Sequence, residues 1–190
     1  MRITESAPKA RELAPAGTQC ARLIHILDFG THETEFQNVK KNKRQVRLTW
    51  ELVDAKMADG KNFVIGKTYN ASLFKSSLLD AIESMTGKPI EFEHDGSFDM
   101  GTLLGKPCML TVAHNTKDGK TFAVPAGMSP LPTIKGKVID CDEATNHLLN
   151  FSLDFFDKDV YDMIPEWAQK VIQTSPEWIK VYNEKQDLPF

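Results

Sequence analysis

Five cations crowd into eight positions of this 190-residue chain: Lys40, Lys41, Lys43, Arg44 and Arg47, in the stretch VKKNKRQVR. Cations at that density suit an anionic polymer whose phosphates they neutralise. Lys56, Lys67 and Lys75 extend the run, and between residues 36 and 75 nine basic residues face three acids. Aromatic rings are interleaved with them. Phe36 precedes the cluster without core periodicity, and in NFVIGKTYN the alternation puts Phe63, Ile65, Lys67 and Tyr69 on one strand face. Trp50 is in phase with Val46, Leu48 and Leu52, which suits a core as well as a platform, and Phe122 lies further along. Cations that follow phosphates, and flat rings on which bases stack, are what a single nucleic-acid strand requires.

Other chemistries find less in the chain. Cys108 and His114 are six apart without a second pair, and His25, His32, His94 and His147 are scattered, so no zinc site is expected. Asp95 and Asp99 in HDGSFD would be the carboxylates of a metal-dependent nucleic-acid enzyme, but they also fit a surface loop. GTLLGKP lacks the spacing of a phosphate-binding loop, and no nucleophile has a partner base. Neither enzymatic activity nor a cofactor is expected.

The elements that must position these residues follow from periodicity. A strand is read from about Cys20 to Phe29, then a polar loop THETEFQNVKKNK, then a half-buried strand RQVRLTWELVD. An Asp-Gly turn joins it to NFVIGKTYNASL as a hairpin. Leu78, Leu79, Ile82 and Met85 then recur at helical spacing, with Ser76 or Ser77 as cap and Gly87 and Pro89 as stop. Two further strands flank an Asn-Thr-Lys-Asp-Gly turn. The class is therefore mainly β. Five strands with one helix between the third and fourth is the order of the OB-fold, a partly open barrel whose hairpin face and loops bind ligands. The expected division is an N-terminal arm over 1–18, the OB-fold over 19–132, a helical extension over 133–180 and an interaction tail over 181–190. Pro130 and Pro132 mark the middle boundary, LLNFSLDFF and its sequel read as one or two amphipathic helices, and Pro165 starts the second.

Net charge is −3, yet residues 139–190 carry eleven acids against four bases. That acidic end is expected to compete with DNA for the basic groove, so that its removal tightens binding at low salt. The three cysteines, Cys20, Cys108 and Cys141, are odd in number and far apart, which predicts reduced thiols in a cytosol. No apolar run approaches the length of a membrane span, and no secretory signal is evident.

The chain ends Asp187-Leu188-Pro189-Phe190. This closely resembles the Asp-Ile-Pro-Phe tip of bacterial single-stranded-DNA-binding proteins, although a long linker and a run of acids are missing and Lys185 stands two before Asp187. The segments LDFGTHETEF, VRLTWEL, TYNASLFKSSLLDAIESMTGK, LLGKPCMLTVAH and FSLDFFDKDVYDMIPEWAQKVIQTSPEW are similar, in the same order, to phage-encoded proteins of that kind. The resemblance implies an OB-fold that coats single-stranded DNA with little sequence preference during phage replication or recombination. It also implies a tip that docks on replication and repair proteins. A homodimer in the cytoplasm of a bacterial host is the matching expectation. The rival is a pure interaction module that recruits host factors through the tip without touching DNA.

Overall fold

The computed structural model of the chain describes residues 12–186, without the side chains of Phe36 and of residues 184–186. Five strands of the six-stranded main sheet are antiparallel: β1 (Gly17–Phe36), β2 (Val39–Lys56), β3 (Asn62–Asn70), β4 (Pro107–Lys117) and β5 (Lys120–Ser129). Their order is β3-β2-β1-β4-β5, with helix α1 (Ser77–Thr86) between β3 and β4 in sequence. β3 and β5 share no ladder, so the sheet stays open. The expected succession of five strands along the chain, with one helix between the third and fourth, is present; closure into a barrel is not.

The polar loop expected over residues 31–43 is instead strand. β1 and β2 pair without interruption to Phe36–Val39, across a turn in which Gln37 and Asn38 both have positive φ. That is the backbone of the two-residue turns that best match strand twist. Beyond Thr31 and Arg44 the strands pair only with each other, leaving a two-stranded ribbon that extends past the sheet.

β1 is long enough to serve two cores because bulges at Ile24 and Phe29 reset which face its side chains occupy. Ala21, Leu23 and Ile26 meet Val46, Leu48, Trp50 and Leu52 in the main core, closed by Leu78, Ala81, Ile82 and Met85 of α1. Ser76 caps α1 by accepting from Leu79 N, and Gly87 ends it in the left-handed region, as the sequence predicts. Leu27 and Phe29 face a second core built from the C-terminal segment.

That segment departs from expectation in three ways. Residues 149–151, read as helical, form strand β8, which runs parallel to His25–Leu27 of β1 after a small β6–β7 hairpin (Thr133–Ile134, Lys137–Val138). Three short helices follow, α2 (Lys158–Asp162), α3 (Glu166–Ile172) and α4 (Pro176–Gln186), with Pro165 at the cap position of α3. And the thiols are not all reduced: Cys20 and Cys141 form a disulfide, leaving Cys108 as a buried free thiol whose pKa burial pushes up to about 12. Separation in sequence concealed the pair, because the chain returns across β1 after residue 138. Among the described residues no helix is long and apolar enough to cross a membrane.

The return is fixed by Glu51, fully buried on β2. Its carboxylate accepts from Asn62 Nδ2 at 2.6 Å, Thr145 N and Oγ1 at 2.8 and 2.7 Å, and Asn146 N and Nδ2 at 2.9 and 2.8 Å. Burial alone would raise its pKa; the hydrogen bonds, led by those of Thr145, outweigh burial and hold it at about 2, against an ordinary 4.5. Because the folded value lies below the unfolded one, this stabilisation is complete above about pH 5 and is lost as pH falls toward 2. Acid titration of Tm should show wild type losing on the order of 3 kcal/mol more than Glu51→Gln over that window.

Candidate nucleic-acid interface

Strand alternation divides the basic cluster between two faces. The register sets Lys40 opposite Glu35, Lys41 opposite Thr34, Lys43 opposite His32 and Arg44 opposite Thr31. Lys40 and Arg44 fall on the side that carries acids. Lys40 Nζ is 2.9 Å from Glu33 Oε1. Arg44 donates from Nε to Asp28 Oδ1 at 3.1 Å, also engages Asp28 through Nη2, and lies 2.8 Å from Asp154 Oδ2. Asp28, the principal cause, and Asp154 together raise the guanidinium pKa despite its partial burial. Asp28 also accepts from Gly30 N and Leu153 N, so this carboxylate ties β1, β2 and the C-terminal segment together. Arg44 is thus a structural cation, and here the acidic end meets the basic stretch.

Lys41 and Lys43 face the other way, on the side shared by Gln45 and Arg47. Among the described residues neither ammonium lies within salt-bridge reach of a carboxylate. With Thr34, Gln37 and Val39 they line a cleft of about 230 Å³ on the ribbon. Arg47 continues the stripe about 20 Å from Lys41 along the strand. Its Nη1 donates to Thr68 Oγ1 at 3.2 Å, and its Cζ stands 4.9 Å from the centre of the Trp167 ring. A Cβ on Gly66 would come within 2.8 Å of Arg47 Nη2, so only glycine leaves the guanidinium its place against β3.

The other expected cations are spread out. Lys67 Nζ covers the Tyr69 ring at 5.1 Å, Lys75 Nζ lies 5.6 Å from the Phe74 ring, and Lys56 ends β2 opposite Asn62.

Most of the expected stacking rings are inside. Trp50 is 0% exposed, Tyr69 3% and Phe63 7%, all in the main core, so none offers a face to a base. The reason is register: Phe63, Ile65 and Tyr69 stand opposite Leu52, Trp50 and Val46, on the side that α1 covers. Burial also pushes the Tyr69 phenol up to about 12. Phe122 is half exposed, but on the β4–β5 hairpin rather than on the ribbon. Phe36 is the last residue of β1, opposite Val39; its side chain lies outside the described residues, as do Asp187, Leu188, Pro189 and Phe190 altogether.

Exposed rings outside the expected set include Phe74 and Trp167. Phe74, 78% exposed, follows the loop whose Ala71 N donates to Arg44 O, which places it near the base of the ribbon. Its signal was position: it precedes the apolar helical repeat and adjoins Lys75. Trp167, 50% exposed on α3, passed as one more apolar residue of an amphipathic helix.

Asp95 and Asp99 each serve a local turn, accepting from Ser97 N and Gly101 N at 2.8 Å. His114 Nε2 is hydrogen-bonded to Ala14 O at 2.8 Å, and no group of three metal-ligating side chains occurs among the described residues.

No protein-family model matches the chain, and no curated protein sequence matches it significantly.

The division of the cluster makes Arg44 and Lys43 distinguishable. Arg44→Ala, which strips Asp28 of its cation, should cost about 1–3 kcal/mol in chemical denaturation. Lys43→Ala should stay within about 0.5 kcal/mol of wild type.

Proposed function

We propose that this chain is a single-stranded-DNA-binding protein of the OB type, phage-encoded, that coats strands with little sequence preference during replication and recombination. The observation that carries the reading is the stripe of Lys41, Lys43 and Arg47 on one face of the ribbon, where among the described residues neither lysine has a carboxylate within salt-bridge reach. An ammonium without an internal counterion releases bound salt and gains an ion contact when a phosphate arrives, whereas Arg44 would first have to leave Asp28. Strand order and the place of α1 support the OB assignment, with an open edge between β3 and β5. The tip Asp187–Phe190 recruits replication and recombination proteins on this reading, and the protein works as a homodimer in the host cytoplasm. In that compartment the Cys20–Cys141 bond would be subject to reduction.

Binding without sequence preference rests on phosphates and stacking, so it should favour single strands over duplex and weaken with salt. Anisotropy titrations of labelled oligo(dT), a mixed-sequence oligonucleotide and its duplex over a salt series test this. The expected result is tighter binding to both single strands than to duplex. Lys41→Glu/Lys43→Glu should flatten the slope of log affinity against log salt by about 1.4, the share of two phosphates. No binding to single strands at low salt, or an unchanged slope in the double variant, would reject the reading.

A further inference from the structure

Resting on that reading, we infer that Trp167 is a base-stacking platform of the same site, so that the C-terminal extension supplies part of the strand-binding surface. Trp167 lies on the stripe's side of the sheet, because the residue beneath it is Arg47, in phase with Lys41 and Lys43 on β2. The ring is fixed from two directions. Arg47 lies over one face at 4.9 Å, and Phe29 meets it at 6.2 Å with an interplanar angle of 78°. Arg47 is itself held by Thr68 and by the bare backbone at Gly66. Half of the Trp167 surface nevertheless remains open to solvent. The indole thus keeps solvent-facing surface with both of these contacts in place.

Such a ring is held in place before ligand arrives, so little ordering cost falls on binding. Stacking also needs no hydrogen-bond readout, which fits a ligand recognised by its unpaired bases and not by its sequence. Trp50, the expected indole, cannot serve, being fully enclosed in the main core. The basic ribbon would hold the phosphates and α3 would hold a base. The two parts are joined because Leu27 and Phe29 pack against Ala168 and Ile172 in the second core.

The test uses the full-length protein and fluorescein-labelled oligo(dT). Trp167→Leu keeps an apolar side chain against Phe29 but removes the platform; affinity should fall about 5- to 150-fold with the salt slope unchanged. Trp167→Phe should recover much of the loss. Intrinsic fluorescence gives a second readout that does not depend on the leucine variant folding. Saturating oligo(dT) should quench wild type, and the quench should largely vanish in Trp167→Phe. Wild type binding while a folded Trp167→Leu binds equally well, or a quench undiminished in Trp167→Phe, would overturn the assignment of Trp167 alone. Failure of wild type to bind any single strand would instead remove the reading on which it rests.

Discussion

A carboxylate buried on β2 decides where the last third of the chain goes. Glu51 is enclosed completely, and a buried charge persists only when its oxygens are saturated. Four of its five hydrogen bonds come from Thr145 and Asn146, nearly a hundred residues later. The chain is thereby committed to cross β1 again. Arg22 reinforces the crossing, donating to the carbonyls of Cys141 and Asp142 at 2.7 Å each, and the Cys20–Cys141 bond closes it covalently. β8 then finds the free edge of β1 beside His25–Leu27, and the second core forms around Phe29.

Once the C-terminal segment is in place, charge is sorted. Asp28 and Asp154 take Arg44, and Glu177 takes Thr31 through N at 2.9 Å and through its hydroxyl. These contacts occupy the side of the ribbon that continues the main-core face. The opposite side carries Lys41 and Lys43, with no carboxylate within salt-bridge reach among the described residues, and receives Trp167 over Arg47. A protein of net charge −3 thus presents a basic stripe not by excess of lysine but by placing the acids around the ribbon on its other side. The same segment that makes the chain acidic overall leaves the stripe uncovered and adds a ring to it.

Local rules made much of this legible. The strand period of β2, the Asp-Gly turns at Gly60 and Gly119 and the capped helix α1 each carry their own signal in short-range spacing, and each is present. The polar outer face expected on β2 is not exposed throughout: Thr49 and Glu51 are buried along with Leu48, Trp50 and Leu52. The ribbon was missed because its turn uses Gln37-Asn38, where positive φ is adopted without a glycine, in a segment too polar to look like strand. β8 is not legible because only LNF within LLNFS is strand, in a run of apolar side chains that fits a helix equally well. Trp50, Phe63 and Tyr69 show the harder limit: alternation reports that a face is shared but not which face is covered. That is settled by α1 packing from the far side, a tertiary fact. The disulfide and the Glu51 anchor join residues far apart in sequence, and no spacing rule addresses such pairs.

The central claim is that a single strand lies along the outward side of the ribbon. Photocrosslinking of oligo(dT) to the full-length protein, followed by mass-spectrometric mapping of the attached peptides, addresses it directly. The account predicts adducts in the β2 segment from Val39 to Arg47 and on α3 at Trp167, suppressed by raised salt. Adducts confined to the β4–β5 hairpin around Phe122, or none at any salt, would contradict it.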